Sequence, residues 1–379
     1  MRFGKFKLNH YINYIVIGLF TAVLSVITLT GGRLDSSMLF LLEKIAISII
    51  LAVSLSLVVG FLGELSLGHA GFMCMGAYIS GKVASLLVPS LGNGILTFLI
   101  ALLVGAAVAA VCGIIIGIPA LRLRGDYLAI VTLAFGEIVK SIFQNTSDES
   151  FGGALGLDTP RFDKKYLFII AFVLVLITLA VVQNFIRSKH GRAVTAIRDN
   201  EIAAKASGIN VTKYKLLAFT LSATFAGIAG VLYSYSNYTV QSAKFGYNYS
   251  IEILVMVVLG GMGNINGAIV SATLITFLNT KLATVLTGDL AVLQNLLYAL
   301  ILILIVIYNN APALKNFRDR FNFGVLIKKI FKPKNDPGHV KDDAAKWDVV
   351  PTKIEMNEVL SVDMTPPEMR NNQGNGGDD

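Results

Sequence analysis

Long apolar runs separated by short polar connections make up most of the first 310 residues of the chain. A helix needs about 20 mostly apolar residues to cross a hydrocarbon layer about 30 Å thick. Six runs clearly approach or exceed this length, namely residues 11–30, 45–62, 95–118, 166–186, 216–236 and 291–308. Four weaker runs, broken by glycine or by single charges, cover 65–88, 127–143, 251–262 and 267–285. The pattern predicts an all-α polytopic membrane protein with about ten transmembrane or discontinuous helices.

Lysine and arginine residues gather in four of the polar segments, and their distribution predicts the orientation of the chain. They precede the first run and follow the fourth, sixth and tenth: Arg2, Lys5, Lys7; Arg122, Arg124; Arg187, Lys189, Arg192, Arg198, Lys205, Lys213, Lys215; Lys315, Arg318 and Arg320. Ten crossings place all four groups on one side, and positive charge favours the cytoplasmic side. Both termini are therefore predicted to be cytoplasmic, with the connection 144–165 outside.

The composition supports a membrane class and divides the chain into three parts. With 54% hydrophobic and 15% charged residues, the sequence is too apolar for a soluble domain. The net charge is +8, and the basic residues that produce it lie beside the apolar runs. This position indicates contact with membrane lipid and no nucleic acid partner. We expect a transmembrane domain over 1–310, with a cytoplasmic loop at 187–215, and a basic juxtamembrane segment over 311–334. The polar, proline-punctuated segment 335–379 is predicted to be a disordered cytoplasmic tail.

The sequence carries no recognisable catalytic or metal-binding motif. No GxxxxGK[ST] loop occurs, so we expect no ATP hydrolysis by this chain. The histidines at 10, 69, 190 and 339 have no metal-like spacing, and Cys74 and Cys112 lie inside apolar segments as small core residues. We therefore predict no enzyme activity, no metal site and no cofactor.

Five ionisable residues interrupt the apolar runs: Glu64, His69, Glu137, Lys140 and Glu252. Such groups are costly in a membrane unless they have a partner or face water. Glu64 and Lys140 can reach out from the ends of their runs. Glu137 and Glu252 lie deeper, and either line a translocation path or make an interhelical hydrogen bond.

Two glycine-rich segments resemble one another, "GELSLGHAGFMCMGAYI" and "VLGGMGNINGAIVSATLI". In transporters such segments often mark discontinuous helices near the substrate. The alternative is close helix packing, which small residues permit and which we also expect at Ala223, Ala226, Gly227 and Gly230. On the first interpretation, the candidate path consists of Gly68, His69, Gly71, Glu137, Glu252, Gly261, Gly263 and Asn264.

The basic loop 187–215 contains a short predicted helix. Asn200 is a good N-cap, Glu201 suits a helix N-terminus, and Gly208 can end the helix. Ile202, Ala203 and Ala206 can form one apolar stripe. A helix of roughly two turns is marginal alone, so we favour docking to a partner over a solvated connector.

Four ordered blocks resemble the permeases of branched-chain amino acid ABC importers, specifically the LivM-like member of the permease pair. They are "ELSLGHAGFMCMGAYIS", "LRLRGDYLAIVTLAFGEI", "GRAVTAIRDNEIAAKASGINVTKYKLLAFTLSATFAGIAGVLY" and "VMVVLGGMGNINGAIVSA". In that family a cytoplasmic coupling helix sits in a cleft of the ATPase subunit. The resemblance assigns this role to Glu201, Ala203, Ala204 and Gly208, while Ile202 stands where the general importer motif has a glutamate.

The resemblance also implies the partners and the location of the chain. It implies a heterodimer with a second permease subunit, two ATP-binding cassette ATPase subunits that hydrolyse ATP, and an extracytoplasmic substrate-binding protein. The complex would import Leu, Ile or Val across a bacterial or archaeal cytoplasmic membrane, while related systems carry other amino acids, amides or urea. A secondary, ion-coupled amino acid transporter, which also uses broken helices, is the competing interpretation, and a channel is a third.

Overall fold

The apolar runs of the sequence fold into helices in a computed structural model. The structure describes residues 12–29, 35–123, 125–160, 162, 164–285, 299, 300 and 303. Each of the first nine predicted runs falls on a described helix. The run 291–308 lies outside the described residues apart from three positions, and the segments 311–334 and 335–379 lie outside them entirely.

The longer helices are joined by short turns, one π-helical segment and one pair of very short strands. In chain order they are α1 (Ile12–Leu29), α2 (Ser36–Ser56), a π-helix (Leu57–Leu62), α3 (His69–Leu91), α4 (Ile95–Ala120), α5 (Asp126–Gln144), α6 (Asp148–Phe151), β1 (Leu157–Asp158), α7 (Lys164–Arg187), α8 (Lys189–Asp199), α9 (Glu201–Ala206), α10 (Val211–Asn237), β2 (Thr239–Val240), a 3₁₀ turn (Ser242–Phe245), α11 (Tyr247–Gly260) and α12 (Ile265–Val285).

Six described helices are long and apolar enough to cross a membrane. They are Ser36–Leu62, His69–Leu91, Ile95–Ala120, Tyr166–Arg187, Val211–Asn237 and Ile265–Val285, with Tyr247–Gly260 as a shorter apolar helix. Large apolar side chains also cover the outside of the bundle, as at Leu103, which is 70% exposed, and Ile130, which is 60% exposed. Such a surface is unfavourable in water and suits a hydrocarbon environment. The described residues thus form an α-helical, membrane-spanning fold.

Helix α2 lies at the centre of the bundle, in contact with α7, α10, α11 and α12. Its side chains are buried on all faces, including Ile50, Leu51 and Val53, as expected for a helix that is apolar all round. The helix begins at Ser36, nine residues before the predicted start at 45. The predicted run was too short here because the helix continues through Glu43, which is fully buried and accepts a hydrogen bond from the Ser236 hydroxyl.

Glycines bring α3, α4 and α10 into close contact. A side chain at Gly227 would collide with Ala109 of α4, and one at Gly230 would collide with the Met73 carbonyl group of α3. Gly113 of α4 likewise faces Ala223, whose Cβ would lie 2.8 Å from an added Cβ. The packing predicted for the small residues of α10 is therefore confirmed.

The strands β1 and β2 pair antiparallel, with Leu157 opposite Val240 and Asp158 opposite Thr239. The buried Tyr78 hydroxyl donates a hydrogen bond to the Val240 carbonyl group at 2.9 Å. The connection between α5 and α7 is thereby fixed to the C-terminal end of α10 and to α3.

Candidate functional site

Helix α9 forms as the sequence predicts, with a cap at one end and a stop at the other. The Asn200 side chain accepts a hydrogen bond from the Ala203 N–H at 3.0 Å. At the other end Gly208 has a φ of +82°, and the N–H groups of Gly208 and Ile209 donate to the carbonyl groups of Lys205 and Ala204, each at 3.1 Å. These two bonds make a Schellman motif. The motif requires a left-handed residue at this position, and glycine adopts that conformation without strain.

The apolar stripe of α9 faces away from the described part of the chain. Ile202 is 77% exposed, and Ala203 and Ala206 are also exposed. Ala204 points the other way and is 4% exposed. The stripe headed by Ile202 is thus available for contact, whereas Ala204 contributes by packing α9 onto its own subunit.

Glu201, the first residue of α9, belongs to a partly buried group of three charges. The Lys215 ammonium group lies 3.1 Å from the Glu201 carboxylate and 2.6 Å from the Glu64 carboxylate. The Lys215 side chain is 4% exposed, and those of Glu64 and Glu201 are 14% and 35% exposed. The prediction that Glu64 reaches out to solvent from the end of its run was therefore wrong. Its side chain is mostly buried and pairs with Lys215, next to the loop that carries α9.

Arg198, at the end of α8, makes a second connection between this loop and the bundle. Its guanidinium group donates a hydrogen bond to the Gly60 carbonyl group, in the π-helix, at 3.2 Å. Its side-chain carbons lie against Gly63, and its Nη1 atom lies 3.9 Å from the Cβ position of Gly263. The loop thus reaches both glycine-rich segments at one place.

The two glycine-rich segments are turns that join successive helices. Gly63, Gly261 and Gly263 have φ values of +79°, +88° and +80°, which only glycine adopts without strain. Asn264 caps α12 by accepting a hydrogen bond from the Gly267 N–H at 3.2 Å. The turn before α12 touches the π-helix that precedes the other turn, since a side chain on Gly60 would collide with the Gly263 nitrogen.

Gly68, His69 and Gly71 serve helix packing. An added Cβ on Gly68 would lie 2.7 Å from the Thr132 carbonyl oxygen, and one on Gly71 would lie 2.8 Å from the Gly136 Cα, so both glycines seat α3 against α5. His69 is 2% exposed, and its Nε2 atom lies 2.8 Å from the Ser54 hydroxyl oxygen. His69, at the start of α3, thus makes a hydrogen-bonded contact with α2.

Glu137 holds the start of α11. Its carboxylate accepts a hydrogen bond from the Tyr247 N–H at 2.7 Å and pairs with the Lys140 ammonium group at 2.8 Å. A carboxylate at a helix N-terminus is stabilised by the unpaired N–H groups there. Glu137 is not among the described residues that line the cavity around Glu252, so the structure does not bring these two glutamates together.

Glu252 lines a cavity of about 620 Å³ between α2, α10, α11 and α12. The described lining residues are Ser37, Phe40, Lys44, Ile47, Ser48, Tyr233, Asn237, Lys244, Phe245, Tyr249, Glu252, Met256, Thr276, Asn279, Thr280, Ala283 and Thr284. The Asn279 amide donates a hydrogen bond to the Glu252 carboxylate at 3.0 Å. The Lys44 ammonium group lies 4.6 Å from the centre of the Phe40 ring. The cavity thus presents both signs of charge beside an apolar wall.

Sequence reasoning missed Lys44, Lys244 and Asn279 as cavity residues. Lys44 lay outside the predicted run 45–62. Lys244 and Asn279 are separated from Lys44 by 200 or more positions in the chain. Of the eight candidate path residues, Glu252 alone lines this cavity in the described part of the chain. No group of three or more His, Cys, Asp or Glu side chains that could hold a metal ion occurs among the described residues.

Comparison with a family model and with two relatives points to the same protein family. A family described as "Branched-chain amino acid transport system / permease component" matches residues 37–307. The high-affinity branched-chain amino acid transport system permease protein LivM of Salmonella typhimurium is 38% identical over 260 residues, which are 60% of each chain. LivM of Escherichia coli is 36% identical over the same length and share. The ribose import permease protein RbsC of Escherichia coli is 27% identical over 320 residues, covering 78% of this chain and 92% of RbsC.

No solved structure matches this chain. The chain spans 60% of the length of the two LivM proteins that it matches. The family match from 37 to 307 includes helix α9, both glycine-rich turns and all of the described cavity residues. The resemblance found in the four sequence blocks is therefore confirmed: the chain is a multi-pass membrane protein and belongs to the family of permease components of branched-chain amino acid transport systems.

Proposed function

We propose that the chain is the membrane-spanning subunit of an ATP-driven ABC importer for branched-chain amino acids, and that α9 docks on an ATPase subunit. The observation that carries this proposal is α9 itself, which is capped by Asn200, ended by Gly208 and presents Ile202 with 77% of its surface exposed. An exposed, well-fixed apolar side chain is typical of the anchor residues that supply most of the energy of an interface.

The cavity supports an amino acid as the solute. Lys44 and Lys244 can attract a carboxylate, Glu252 can attract an ammonium group, and Phe40, Ile47 and Met256 offer an apolar wall for an aliphatic side chain. RbsC is named as a ribose permease, and a neutral sugar has no charge to pair with these groups. The cavity is therefore proposed as part of the translocation path, with Leu, Ile and Val as the solutes.

The importer implied by this proposal has partners of three kinds. A second permease subunit completes the path, two ATPase subunits hydrolyse ATP, and an extracytoplasmic binding protein delivers the solute. The location is the cytoplasmic membrane of a bacterium or archaeon, with α9 on the cytoplasmic side. The basic residues around α9 support this orientation.

Purification of the chain from its native membrane tests the assembly. We expect ATPase and permease subunits to copurify, and ATP hydrolysis to increase when binding protein loaded with Leu, Ile or Val is added. Uptake into proteoliposomes that follows an ion gradient without ATP would overturn the proposal in favour of a secondary transporter. Stimulation by an amide or urea, but not by these amino acids, would retain the importer and change its solute.

Replacement of Glu252 tests the cavity separately. Glu252→Gln preserves size and removes the charge, so we expect a higher solute concentration for half-maximal uptake, with unchanged copurification of the ATPase. Glu149→Gln is a matched control, because Glu149 is exposed in α6 and lies outside the described cavity lining. Uptake that is identical in the two variants would remove Glu252 from the path.

A further inference from the structure

We propose that Lys215 is a positioning residue that transmits movement of α9 to the turn between the π-helix and α3, through its paired contacts with Glu201 and Glu64. The proposal rests on the proposed function, since it assumes that α9 docks on an ATPase. It assigns to three named side chains the connection between that docking surface and the membrane-spanning bundle.

The geometry places Lys215 between the start of α9 and the segment that precedes α3. Glu201 lies at the start of α9, and Glu64 lies in the non-helical segment that precedes α3. The Lys215 ammonium group reaches the first carboxylate at 3.1 Å and the second at 2.6 Å. With the Lys215 side chain 4% exposed, both contacts are poorly screened by solvent. A shift of α9 therefore acts on Glu64 through short, charged contacts.

The segment that receives this force has little secondary structure to resist it. It follows the π-helix Leu57–Leu62, a form that is rare and occurs frequently at functional sites. Gly63 has a φ of +79°, and the Glu64 and Leu67 N–H groups donate to the Val58 carbonyl group and the Thr132 hydroxyl group. Movement of this segment requires few backbone hydrogen bonds to break.

A second contact directs the same movement to the other glycine-rich turn. Arg198 binds the Gly60 carbonyl group at 3.2 Å, and Gly60 lies directly against Gly263 in the turn before α12. Helix α12 in turn supplies Asn279 to the cavity. The loop that carries α9 is thus joined to both helices that leave these turns, α3 and α12.

Stability alone does not account for buried charges at this position. Replacing a buried ion pair by well-packed apolar residues is often neutral or stabilising, so such a pair is weak grounds for a role in stability. A charged link between two elements that must move together gives it a different role, because each charge follows its partner. Removal of the link should then affect coupling more than assembly.

The test uses the complete complex in proteoliposomes, with binding protein and Leu, and three variants. Glu64→Gln removes the charge of one carboxylate and leaves Lys215 paired with Glu201. We expect normal copurification of the ATPase, and a loss of about fivefold or more in uptake per ATP hydrolysed, the lower bound being taken from coupling between binding sites. Lys215→Arg keeps both charges in reach and should retain most of the coupling. Lys213→Met removes an exposed charge two residues away and should behave as wild type.

The outcomes separate this proposal from the proposed function. Wild-type coupling in Glu64→Gln would overturn the role of the charged link. If Glu64→Gln does not assemble, the apolar variant Glu64→Leu, Glu201→Leu, Lys215→Met is measured instead, and wild-type coupling there also overturns the proposal. If Lys215→Arg loses as much uptake per ATP as Glu64→Gln, charge pairing does not explain the coupling, and the proposal is overturned. A wild-type chain that binds no ATPase would instead refute the proposed function.

Discussion

The Lys215 ammonium group lies 2.6 Å from the Glu64 carboxylate, although 151 positions separate the two residues in the chain. This contact joins the beginning of α10 to the turn that precedes α3. It also explains why an acidic residue is tolerated at the end of a long apolar run, because the charge has a close partner. Because Lys215 also pairs with Glu201, a continuous set of charged contacts runs from α9 to the turn before α3.

The exposed apolar residue of α9 should dominate binding of the ATPase. Ile202→Asp places a charge on a side chain that is 77% exposed, and we expect a cost of about 2 kcal/mol, or roughly 30-fold in the dissociation constant. Copurification of the ATPase, normalised to the amount of permease in the membrane, measures the effect. Thr212→Asp is the control, because Thr212 is exposed at the start of α10 and receives the same charge. Equal retention of the ATPase by both variants would make α9 a connector.

The end of α9 requires a residue that adopts a left-handed conformation. Gly208 has a φ of +82° and no neighbouring atom within 4 Å of an added Cβ, so conformation and not space limits substitution. Gly208→Val should destabilise the loop by about 1–2 kcal/mol, whereas Gly208→Asn should cost much less, because asparagine tolerates this region. Hydrogen exchange of the amides of α9 compares the two variants. Similar exchange rates would show that the Schellman motif does not hold α9.

Two glycines that touch, Gly263 in the turn before α12 and Gly60 in the π-helix, should tolerate added side chains differently. Gly263 needs its φ of +80°, whereas Gly60 lies inside the π-helix and needs the absence of a side chain. Gly263→Asn should therefore retain more uptake than Gly263→Val, while Gly60→Ala should lose assembled protein from the membrane. Immunoblotting of membranes and uptake per permease distinguish the two effects. Full assembly of Gly60→Ala would contradict the close contact between the π-helix and the turn before α12.

Cysteine labelling should find the α9 loop and the 144–165 connection on opposite sides of the membrane. Ser207 and Leu155 are both exposed, the latter by 77%, and suit single replacements by cysteine. In a background without Cys74 and Cys112, we expect Ser207→Cys to react from the cytoplasmic side and Leu155→Cys from the outside. Reaction of both from one side would refute the orientation predicted from the basic residues.

The positions of the helices and the local form of α9 could be predicted because they depend on neighbouring residues. Apolar runs mark helices, and Asn200 and Gly208 mark where α9 begins and ends, since capping and left-handed glycine act within a few positions. The start of α2 was missed because sequence alone does not show that Glu43 finds Ser236 on a distant helix.

The candidate site was harder to predict because it depends on packing between distant segments. The family motif placed Ala204 with the coupling residues, but only the packed structure shows that Ala204 faces its own subunit and Ile202 faces outward. Likewise the cavity combines Lys44 with Glu252 from helices far apart in the chain. Periodicity reports which face of a helix is apolar, and it does not report which other helix covers that face.

Helix α10 runs without proline for 27 residues, from Val211 to Asn237, a length of about 40 Å. Lys215 lies one turn from its first end, and beyond its last end the Tyr238 carbonyl group accepts a hydrogen bond from the Thr159 N–H at 2.8 Å. A stiff rod of that length amplifies rotation, so a tilt of about 5° at one end displaces the other by about 3–4 Å. A single unbroken helix thereby links the position of Lys215, beside α9, to that of the paired strands β1 and β2.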